Sequence, residues 1–310
     1  MRVLIALGGN AMTGPDGSAT PQAQRAAIEV AAEALADLVV AGHELVITHG
    51  NGPQVGNLLV KNEIAATVVP PVPLDWCDAQ TQATIGRLVL DTLDAALAAR
   101  GSFRRVAALV SRTLVGSEDE GFSHPTKPIG RYLPAQEAKV LVEHGQVWED
   151  RGAKGWRRVV PSPEPLEVLD APAAGALLAA GFVVVAGGGG GIPTVRDPDG
   201  RLRGVEAVID KDLAAAVLAR ALDVDVLVIA TDVDAAVVGW GTPGARPLGR
   251  VSAGELREHA AAGEFASGSM GPKVEAVLRF VAGGGRRAAI TSLAAIGAAV
   301  EGRAGTVVEP

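Results

Sequence analysis

Short apolar runs alternate with longer stretches of helical periodicity along the first part of the chain. Residues 3–7 form a continuous apolar run that ends in glycines, which is typical of a buried strand. Thr20 and Pro21 then offer a helix cap and a first-turn proline, and apolar residues recur at helical spacing until Gly42. This pattern predicts a strand followed by an amphipathic helix.

The same alternation continues along most of the remaining chain. It predicts, in order, a strand at 45–48, a helix between 75 and 100, a strand at 106–111, a helix from 172, a strand at 182–186, a helix after 212, a strand at 226–230, a helix after 272 and a strand at 288–290. A turn at residues 197–200 predicts a hairpin. Strands separated by helices favour a three-layer α/β/α sandwich with a mostly parallel central sheet, in which ligands bind at the carboxyl ends of the strands.

Residues 112–158 interrupt this alternation, because they are rich in charged residues, Gly and Pro and carry one helical signal, after Pro134. Residues 147–148 and 156–159 flank a turn and predict a two-stranded ribbon. A disordered linker is the alternative, but two tryptophans and a tyrosine argue against disorder. We interpret 112–158 as a small lid subdomain, expected to close over a ligand, inserted into one α/β domain that spans residues 1–310.

Composition narrows the class of protein. Hydrophobic residues make up 48% of the chain but aromatic residues only 3%, so the core must consist of Ala, Val, Leu and Ile, which suits a parallel sheet covered by helices. A formal net charge of −7 without a basic block disfavours binding to nucleic acid or to an anionic membrane. Cys77 is the only cysteine, and no apolar run reaches membrane-spanning length. We expect a soluble, cytoplasmic protein with small-molecule substrates.

The familiar nucleotide-binding signatures are missing from the sequence. It contains no P-loop motif, and its glycine-rich stretches lack the spacing of a dinucleotide-binding fingerprint. Two other glycine motifs each follow a predicted strand, Gly8-Gly9-Asn10 and Gly50-Asn51-Gly52. Glycine there lets backbone N–H groups turn toward an anion, and the N-terminus of a following helix adds partial positive charge. A tight strand-to-helix turn is the alternative interpretation of either motif alone.

Lysine is rare in this chain, since only six of its 28 basic residues are lysines and the others are arginines. A remaining lysine is expected where a compact point charge is needed and a planar guanidinium does not serve. Lys211 lies between Asp210 and Asp212 at a predicted helix start; the alternative is helix capping by Asp210 beside a solvated Lys211. Lys273 is predicted in the first turn of a helix, where a cation opposes the helix dipole. Phosphoryl transfer needs little besides such cations and in-line positioning.

Together these motifs resemble the carbamate kinases of the amino acid kinase superfamily. Similar stretches run the length of the chain in matching order: ALGGNAM at 6–12, THGNGPQVG at 48–56, PTKPIG at 125–130, GGGGIP at 188–193, GVEAVIDKD at 204–212, TDVDA at 231–235 and GSMGPK at 268–273. HGNGPQVG, VIDKD and GSMGPK in combination are specific, whereas GGN alone is weak. The insertion at 112–158 also resembles carbamate kinases rather than acetylglutamate or uridylate kinases.

The resemblance implies an α/β/α kinase fold, a homodimer and a reversible reaction in which ADP and carbamoyl phosphate give ATP and carbamate. It implies Mg²⁺ held mainly through the nucleotide phosphates, with no metal site made by protein residues. ATP formation during catabolism, in arginine metabolism, is the direction that it implies. The alternatives are a sibling kinase of the family that phosphorylates another small acid, and a non-catalytic nucleotide-binding sensor.

The resemblance also implies roles for residues at matching positions. Lys211 and Lys273 would stabilise the phosphoryl group in flight, Asp212 would orient them, and Lys127 would reach over the acceptor. The carbamoyl and phosphoryl groups would be held by Gly8, Gly9, Asn10, Gly50, Asn51 and Gly52. The nucleotide would be held by Thr231, Asp232, Asp234, Gly268, Ser269 and Met270.

Two stretches depart from the family pattern. PTKPIG is usually followed by Pro-Phe-Tyr, whereas Arg131-Tyr132-Leu133 stands here and bears on closure of the inserted subdomain. A Val-Tyr pair is common after TDVDA, whereas Ala236-Val237-Val238 stands here and bears on the nucleotide contacts. We expect Trp76 and Trp240 to pack within the fold rather than to form ligand platforms.

Overall fold

A computed structural model describes residues 1–9, 12–13, 19–265 and 270–310 of the chain. Its strands, in chain order, are β1 Arg2–Leu7, β2 Glu44–His49, β3 Val106–Ala108, β4 Arg112–Leu114, β5 Lys127–Leu133, β6 Val147–Asp150, β7 Trp156–Val160, β8 Glu167–Val168, β9 Val183–Val185, β10 Ile192–Arg196, β11 Leu202–Gly204, β12 Val226–Thr231, β13 Val237–Val238, β14 Arg246–Pro247, β15 Arg250–Ser252, β16 Arg287–Ser292 and β17 Thr306–Glu309. Its helices are α1 Pro21–Val40, α2 Gly52–Ala65, α3 Leu74–Ala99, α4 Glu120–Ser123, α5 Ala135–Glu143, α6 Ala171–Ala179, α7 Lys211–Ala221, α8 Ala253–Ala261, α9 Met270–Ala282 and α10 Ile296–Val300.

The central sheet has the strand order β15-β17-β16-β12-β1-β2-β9-β3. β1 lies in its middle and pairs in parallel with both β12 and β2. The pairing of β16 with β17 is antiparallel, and the other neighbours run parallel. The mostly parallel sheet predicted from the sequence is therefore confirmed.

Helices cover both faces of this sheet, as the alternation of side chains along β1 shows. Leu4 and Ala6 pack in one apolar cluster with α6, α7, α8 and α9. Ile5 and Leu7 pack in a second cluster with α1, α3 and α10. Because both faces are buried, the strands can be continuous apolar runs, and the predicted three-layer α/β/α sandwich is confirmed.

Local signals read from the sequence account for several element boundaries. Thr20 caps α1 by accepting a hydrogen bond from the N–H of Ala23, and Gly42 follows the helix with a φ of 88°. β3 ends earlier than predicted, at Ala108. The N–H of Ser111 bonds instead to the side chain of Gln82, so the chain leaves the sheet before β4.

The strands of the segment that interrupts the strand–helix alternation belong to smaller sheets outside the central one. β5, β7 and β6 form a three-stranded antiparallel sheet, which confirms the ribbon predicted at 147–148 and 156–159 and adds β5 as a third strand. β4 belongs elsewhere, in the order β11-β10-β4-β8. The predicted hairpin at 197–200 joins β10 to β11. Hereafter, "the lid sheet" means β5, β6 and β7 with α5.

No helix in the described portion of the chain combines the length and the apolar character needed to cross a lipid bilayer.

Candidate active site

A cavity of about 240 Å³ lies where β1, β2 and β12 reach their carboxyl ends, as the three-layer fold predicts. Loops after these strands, the glycine run after β9, the start of α7 and β5 of the lid sheet enclose it. Its lining residues are Gly8, Gly9, Gly50, Asn51, Gly52, Pro53, Val55, Lys127, Pro128, Ile129, Gly189, Val208, Ile209, Asp210, Lys211, Asp212, Thr231 and Lys273. The structure therefore brings together most of the residues singled out from the sequence.

The glycine motifs after β1 and β2 extend the sheet into the cavity. The N–H of Gly8 donates to the carbonyl of Ala230 at 2.7 Å, and the N–H of Gly50 donates to the carbonyl of Leu7 at 2.8 Å. An added Cβ at Gly50 would lie 2.6 Å from the nitrogen of Gly9. Glycine at position 50 is thus required by the close approach of the two loops. Asn10, the last residue of the first motif, lies outside the described residues.

Asn51 stands at the N-terminus of α2 but does not cap it with its side chain. Its amide nitrogen Nδ2 lies 3.0 Å from Oδ1 of Asp78 and 3.0 Å from Oγ1 of Thr81, both on α3. In the first turn of α2, Pro53 has no N–H and the N–H of Val55 bonds to the carbonyl of Asn51, so only the N–H groups of Gly52 and Gln54 remain for an anion.

Two largely buried lysines share the carboxylate of Asp212, which also lines the cavity. Lys211 contacts Oδ1 of Asp212, and Nζ of Lys273 lies 3.0 Å from Oδ2 of the same residue. Burial opposes ionisation of Asp212, but the two ammonium groups outweigh it and hold the pKa of Asp212 below its usual value. Burial lowers the pKa of Lys211 despite the opposing charge of Asp212. Lys211 is not solvated, so that part of the alternative interpretation is wrong.

Asp210 performs two tasks beside this pair. Its Oδ1 caps α7 by accepting from the N–H groups of Asp212 and Leu213, which confirms the predicted capping. Its Oδ2 binds Nζ of Lys127 at 2.6 Å, and Lys127 belongs to β5 of the lid sheet. The ammonium groups of Lys127, Lys211 and Lys273 therefore face one cavity, each within reach of a carboxylate.

His49 supports the second glycine motif from below. The ring is buried, and its Nδ1 donates to the carbonyl of Gly50 at 3.0 Å. Burial, aided by the charge of Lys211 and opposed by that hydrogen bond, lowers the pKa of His49 to about 4. An added Cβ at Gly188 would lie 2.4 Å from Nε2 of His49. The glycine run after β9 is thus needed for close packing against a neutral imidazole.

The residues expected to bind the nucleotide do not all line one cavity in the structure. Thr231 lines the 240 Å³ cavity, whereas Asp232 and Asp234 are exposed and line neither that cavity nor the next. Met270 lines a second, apolar cavity of about 130 Å³, together with Val233, Ala235, Val237, Trp240, Glu264 and Phe265. Gly268 and Ser269 lie outside the described residues.

The tryptophan interpretation was wrong. Trp76 and Trp240 are 60% and 74% exposed, so neither packs in a core of the fold. Trp240 instead lines the apolar cavity beside Val237, at the position of a family departure noted above.

Sequence reasoning missed the polar residues that α3 places behind the cavity. Asp78 and Thr81 bind the amide of Asn51, and Gln82 binds both the backbone of Ser111 and the carbonyl of Gly188. Their spacing puts them on the buried face of α3 with Cys77 and Ile85. The sequence signal for these residues was the presence of three polar side chains on an otherwise apolar face of a predicted helix.

The part of the chain that the structure describes contains no cluster of three His, Cys, Asp or Glu side chains able to hold a metal ion. Both oxygens of Asp212 already contact lysines. A magnesium ion that enters on a nucleotide and keeps most of its ligands from phosphate and water fits such a site.

Comparisons with known proteins agree on the class. The sequence pattern of the amino acid kinase family matches residues 1–292. The chain is 44% identical to a carbamate kinase of Thermococcus kodakarensis over 99% of this chain and 98% of that protein. It is 40% identical to the carbamate kinase-like protein YqeA of Escherichia coli, over 99% of this chain and 98% of that protein.

Among solved structures, the fold is similar to that of a carbamate kinase from Giardia lamblia bound to AMP-PNP. The TM-score is 0.93 at 39% sequence identity, and the match covers 99% of this chain and 98% of that one. Sequence and fold are thus shared along nearly the whole chain, and the carbamate kinases among these relatives are phosphotransferases.

Proposed function

We propose carbamate as the phosphoryl acceptor of this chain, which belongs to the amino acid kinase family and is a phosphotransferase. The reaction is the reversible conversion of ADP and carbamoyl phosphate into ATP and carbamate. The observation that supports it most is the pairing of Lys211 and Lys273 on Asp212 beside a small cavity walled by glycine and an amide. The 44% identity to a named carbamate kinase supports the same acceptor.

The proposed reaction requires charge stabilisation rather than a general base. A terminal oxygen of ADP attacks the phosphorus of carbamoyl phosphate, the new P–O bond forms, and the bond to the carbamate oxygen breaks. Carbamate leaves with the electron pair as an anion, so no proton need move. The charge that spreads over the equatorial phosphoryl oxygens is met by the ammonium groups of Lys211 and Lys273.

The remaining parts of the cavity hold the two ends of the substrate. The backbone N–H groups of Gly9 and Gly52 would bind the acyl phosphate, since that of Gly50 already bonds to Leu7. Lys127 would leave Asp210 for the substrate when the lid sheet settles over it. Mg²⁺, carried in by the nucleotide, neutralises further phosphate charge when bound.

The nucleotide base is assigned to the apolar cavity of Met270, Val237 and Trp240. The exposed indole of Trp240 offers a flat apolar surface of the kind on which an aromatic base stacks. The AMP-PNP bound to the similar Giardia lamblia enzyme supports a nucleotide site in this fold.

Three further expectations stay predictions: the homodimer, the cytoplasmic location and the ATP-forming direction in arginine metabolism. For the dimer there is local support, because β3 lies at one edge of the central sheet. Phe103, which precedes it, is 97% exposed, and Val110, which follows it, is 56% exposed. Large apolar side chains beside an open sheet edge favour contact with a second copy.

A panel of phosphoryl donors tests the proposed acceptor. ATP formation from ADP and Mg²⁺ is measured with carbamoyl phosphate, acetyl phosphate and acetylglutamyl phosphate, each against a protein-free sample. We expect ATP from carbamoyl phosphate and much less from the other two, because the cavity is small and the part of its wall formed by glycine and the amide of Asn51 carries no charge. Robust turnover of an alternative acid, or of UMP in the reverse assay, with none of carbamate would assign the chain to a sibling kinase.

A further inference from the structure

We propose that Asp78 and Thr81 are positioning residues that fix the amide of Asn51 so that its oxygen, not its nitrogen, is offered to the substrate. This arrangement selects the amino group of carbamate over the methyl group of acetate. The inference rests on the proposed function, and it adds a basis for specificity in two side chains on α3 that do not line the cavity.

The hydrogen bonds around Asn51 determine which way its amide faces. The hydroxyl of Thr81 donates to the carbonyl of Asp78 at 2.7 Å, one helical turn earlier. Its single hydrogen is therefore used, and Oγ1 can only accept a hydrogen bond from Asn51. The group of Asn51 that lies 3.0 Å from this oxygen must then be the NH₂ group.

Asp78 takes the second hydrogen of that NH₂ group. Its Oδ1 lies 3.0 Å from Nδ2 of Asn51, while its Oδ2 is buried with no hydrogen-bond partner among the described residues. Burial, with help from Asp75 and against the bond from Asn51, raises the pKa of Asp78 well above its usual value. A protonated carboxyl group holds its proton on one oxygen and still accepts through the other. Asp78 is thus suited to act as a neutral acceptor.

Gly189 packs closely against the amide of Asn51. An added Cβ at Gly189 would lie 2.2 Å from Nδ2 and 2.9 Å from Oδ1 of Asn51, so only glycine fits beside this amide, and its orientation is set by the hydrogen bonds to Thr81 and Asp78. Asn51 and Gly189 both line the cavity. With both hydrogens of Nδ2 used inside the protein, a ligand can only donate to Oδ1 of Asn51.

This restriction separates two otherwise similar substrates. The amino group of carbamoyl phosphate can donate a hydrogen bond to Oδ1, whereas the methyl group of acetyl phosphate cannot. A buried acceptor left without a donor disfavours the methyl compound, which is how polar sites reject an analogue that lacks the matching group. Loss of Thr81 or Asp78 as acceptor would free the amide to rotate and would remove this preference.

The test compares Thr81→Val and Asp78→Ala with the parent protein. For each, kcat/KM is measured for carbamoyl phosphate in the ATP-forming direction, and the inhibition constant is measured for acetyl phosphate as a competitor, whether or not it turns over. We expect kcat/KM for carbamoyl phosphate to fall about tenfold or more, with the inhibition constant of acetyl phosphate changing less than about twofold. Thr81→Ser and Asp78→Asn keep an acceptor and should restore most of the preference.

Thr84→Val is the matched control, because Thr84 on the exposed face of α3 makes the same kind of bond, from its hydroxyl to the carbonyl of Gln80 at 3.0 Å. The inference is overturned if Thr81→Val and Asp78→Ala weaken kcat/KM for carbamoyl phosphate and the binding of acetyl phosphate by the same factor, or change neither. The proposed function would then remain intact. A parent protein that makes no ATP from carbamoyl phosphate would overturn both. If one of the two variants does not fold in a thermal-unfolding control, the other decides.

Discussion

At the scale of single residues, the site depends on where lysine has been kept in a chain that otherwise uses arginine. An ammonium group is a compact charge that can share one carboxylate with a second ammonium, as Lys211 and Lys273 do on Asp212. A planar guanidinium in either place would demand a wider contact and would displace its neighbour. The buried triad is therefore a geometric requirement as well as an electrostatic one.

We predict that Lys211→Arg and Lys273→Arg each lower kcat by about 10²–10³, which corresponds to roughly 3–4 kcal/mol at the transferring phosphoryl group. The positive charge is kept in both variants, so the loss would report on shape. Steady-state ATP formation from carbamoyl phosphate is the measurement. Lys61→Arg and Lys139→Arg, at exposed positions, are the controls and should match the parent. Parent-like turnover by Lys211→Arg would refute the point-charge interpretation.

The sequence identified these lysines because their surroundings are unusual locally. Lys211 lies between two acids, and Lys273 lies in a helix start against the dipole. It did not identify Asp78 and Thr81, since a polar residue on an apolar helix face has no local signature of its partner. Asn51 lies 27 and 30 positions away from them, and only the packing of α2 against α3 brings them together.

At the scale of elements, the lid sheet is tied to the main domain through β5. Gly130 of β5 lies close to Gly56 of α2. An added Cβ at Gly56 would lie 3.4 Å from the Cα of Gly130. Arg131 forms an ion pair of 3.1 Å with Glu63 on the same helix. The stretch that departs from the family pattern thus makes its own contact with the main domain.

Removal of the whole lid sheet would be an ambiguous experiment. Ile129 and Val160 pack with Val55, Leu59 and Cys77 in one apolar cluster shared by β5, β7, α2 and α3. Their loss would uncover apolar surface of the main domain. A single substitution at Lys127 isolates the role of the lid sheet in turnover.

We predict that Lys127→Ala lowers kcat about tenfold or more while changing the affinity for ADP less than about threefold, because the ion pair with Asp210 holds its charge at the cavity that we propose for the phosphoryl acceptor. Separate measurements of kcat and of ADP binding by calorimetry test this. Lys154→Ala, in the exposed turn between β6 and β7, is the matched control and should leave both unchanged. Unchanged kcat in Lys127→Ala would remove this residue from the catalytic set.

At the scale of the whole molecule, the alternation of most central parallel strands with helices could be read from the sequence, because buried parallel strands are nearly uniform apolar runs. The helices α8 and α10 were not predicted. The short strands β13, β14 and β15 could not, since each spans two or three residues and has no periodicity to detect. β17 could not either, because its apolar run is only two residues long, between Thr306 and Glu309. The glycine loops were found as motifs, whereas their contacts with His49 and Asn51 depend on tertiary structure.

Phosphorus NMR of ADP, Mg²⁺ and carbamoyl phosphate with a catalytic amount of protein tests the central claim most directly. We predict that the carbamoyl phosphate signal falls while the three ATP signals grow in equal amount, with inorganic phosphate no higher than in a protein-free sample. The double variant Lys211→Arg, Lys273→Arg should leave the carbamoyl phosphate signal near its protein-free course. Release of inorganic phosphate without ATP, or ATP formation by the double variant at the parent rate, would contradict direct transfer at this site.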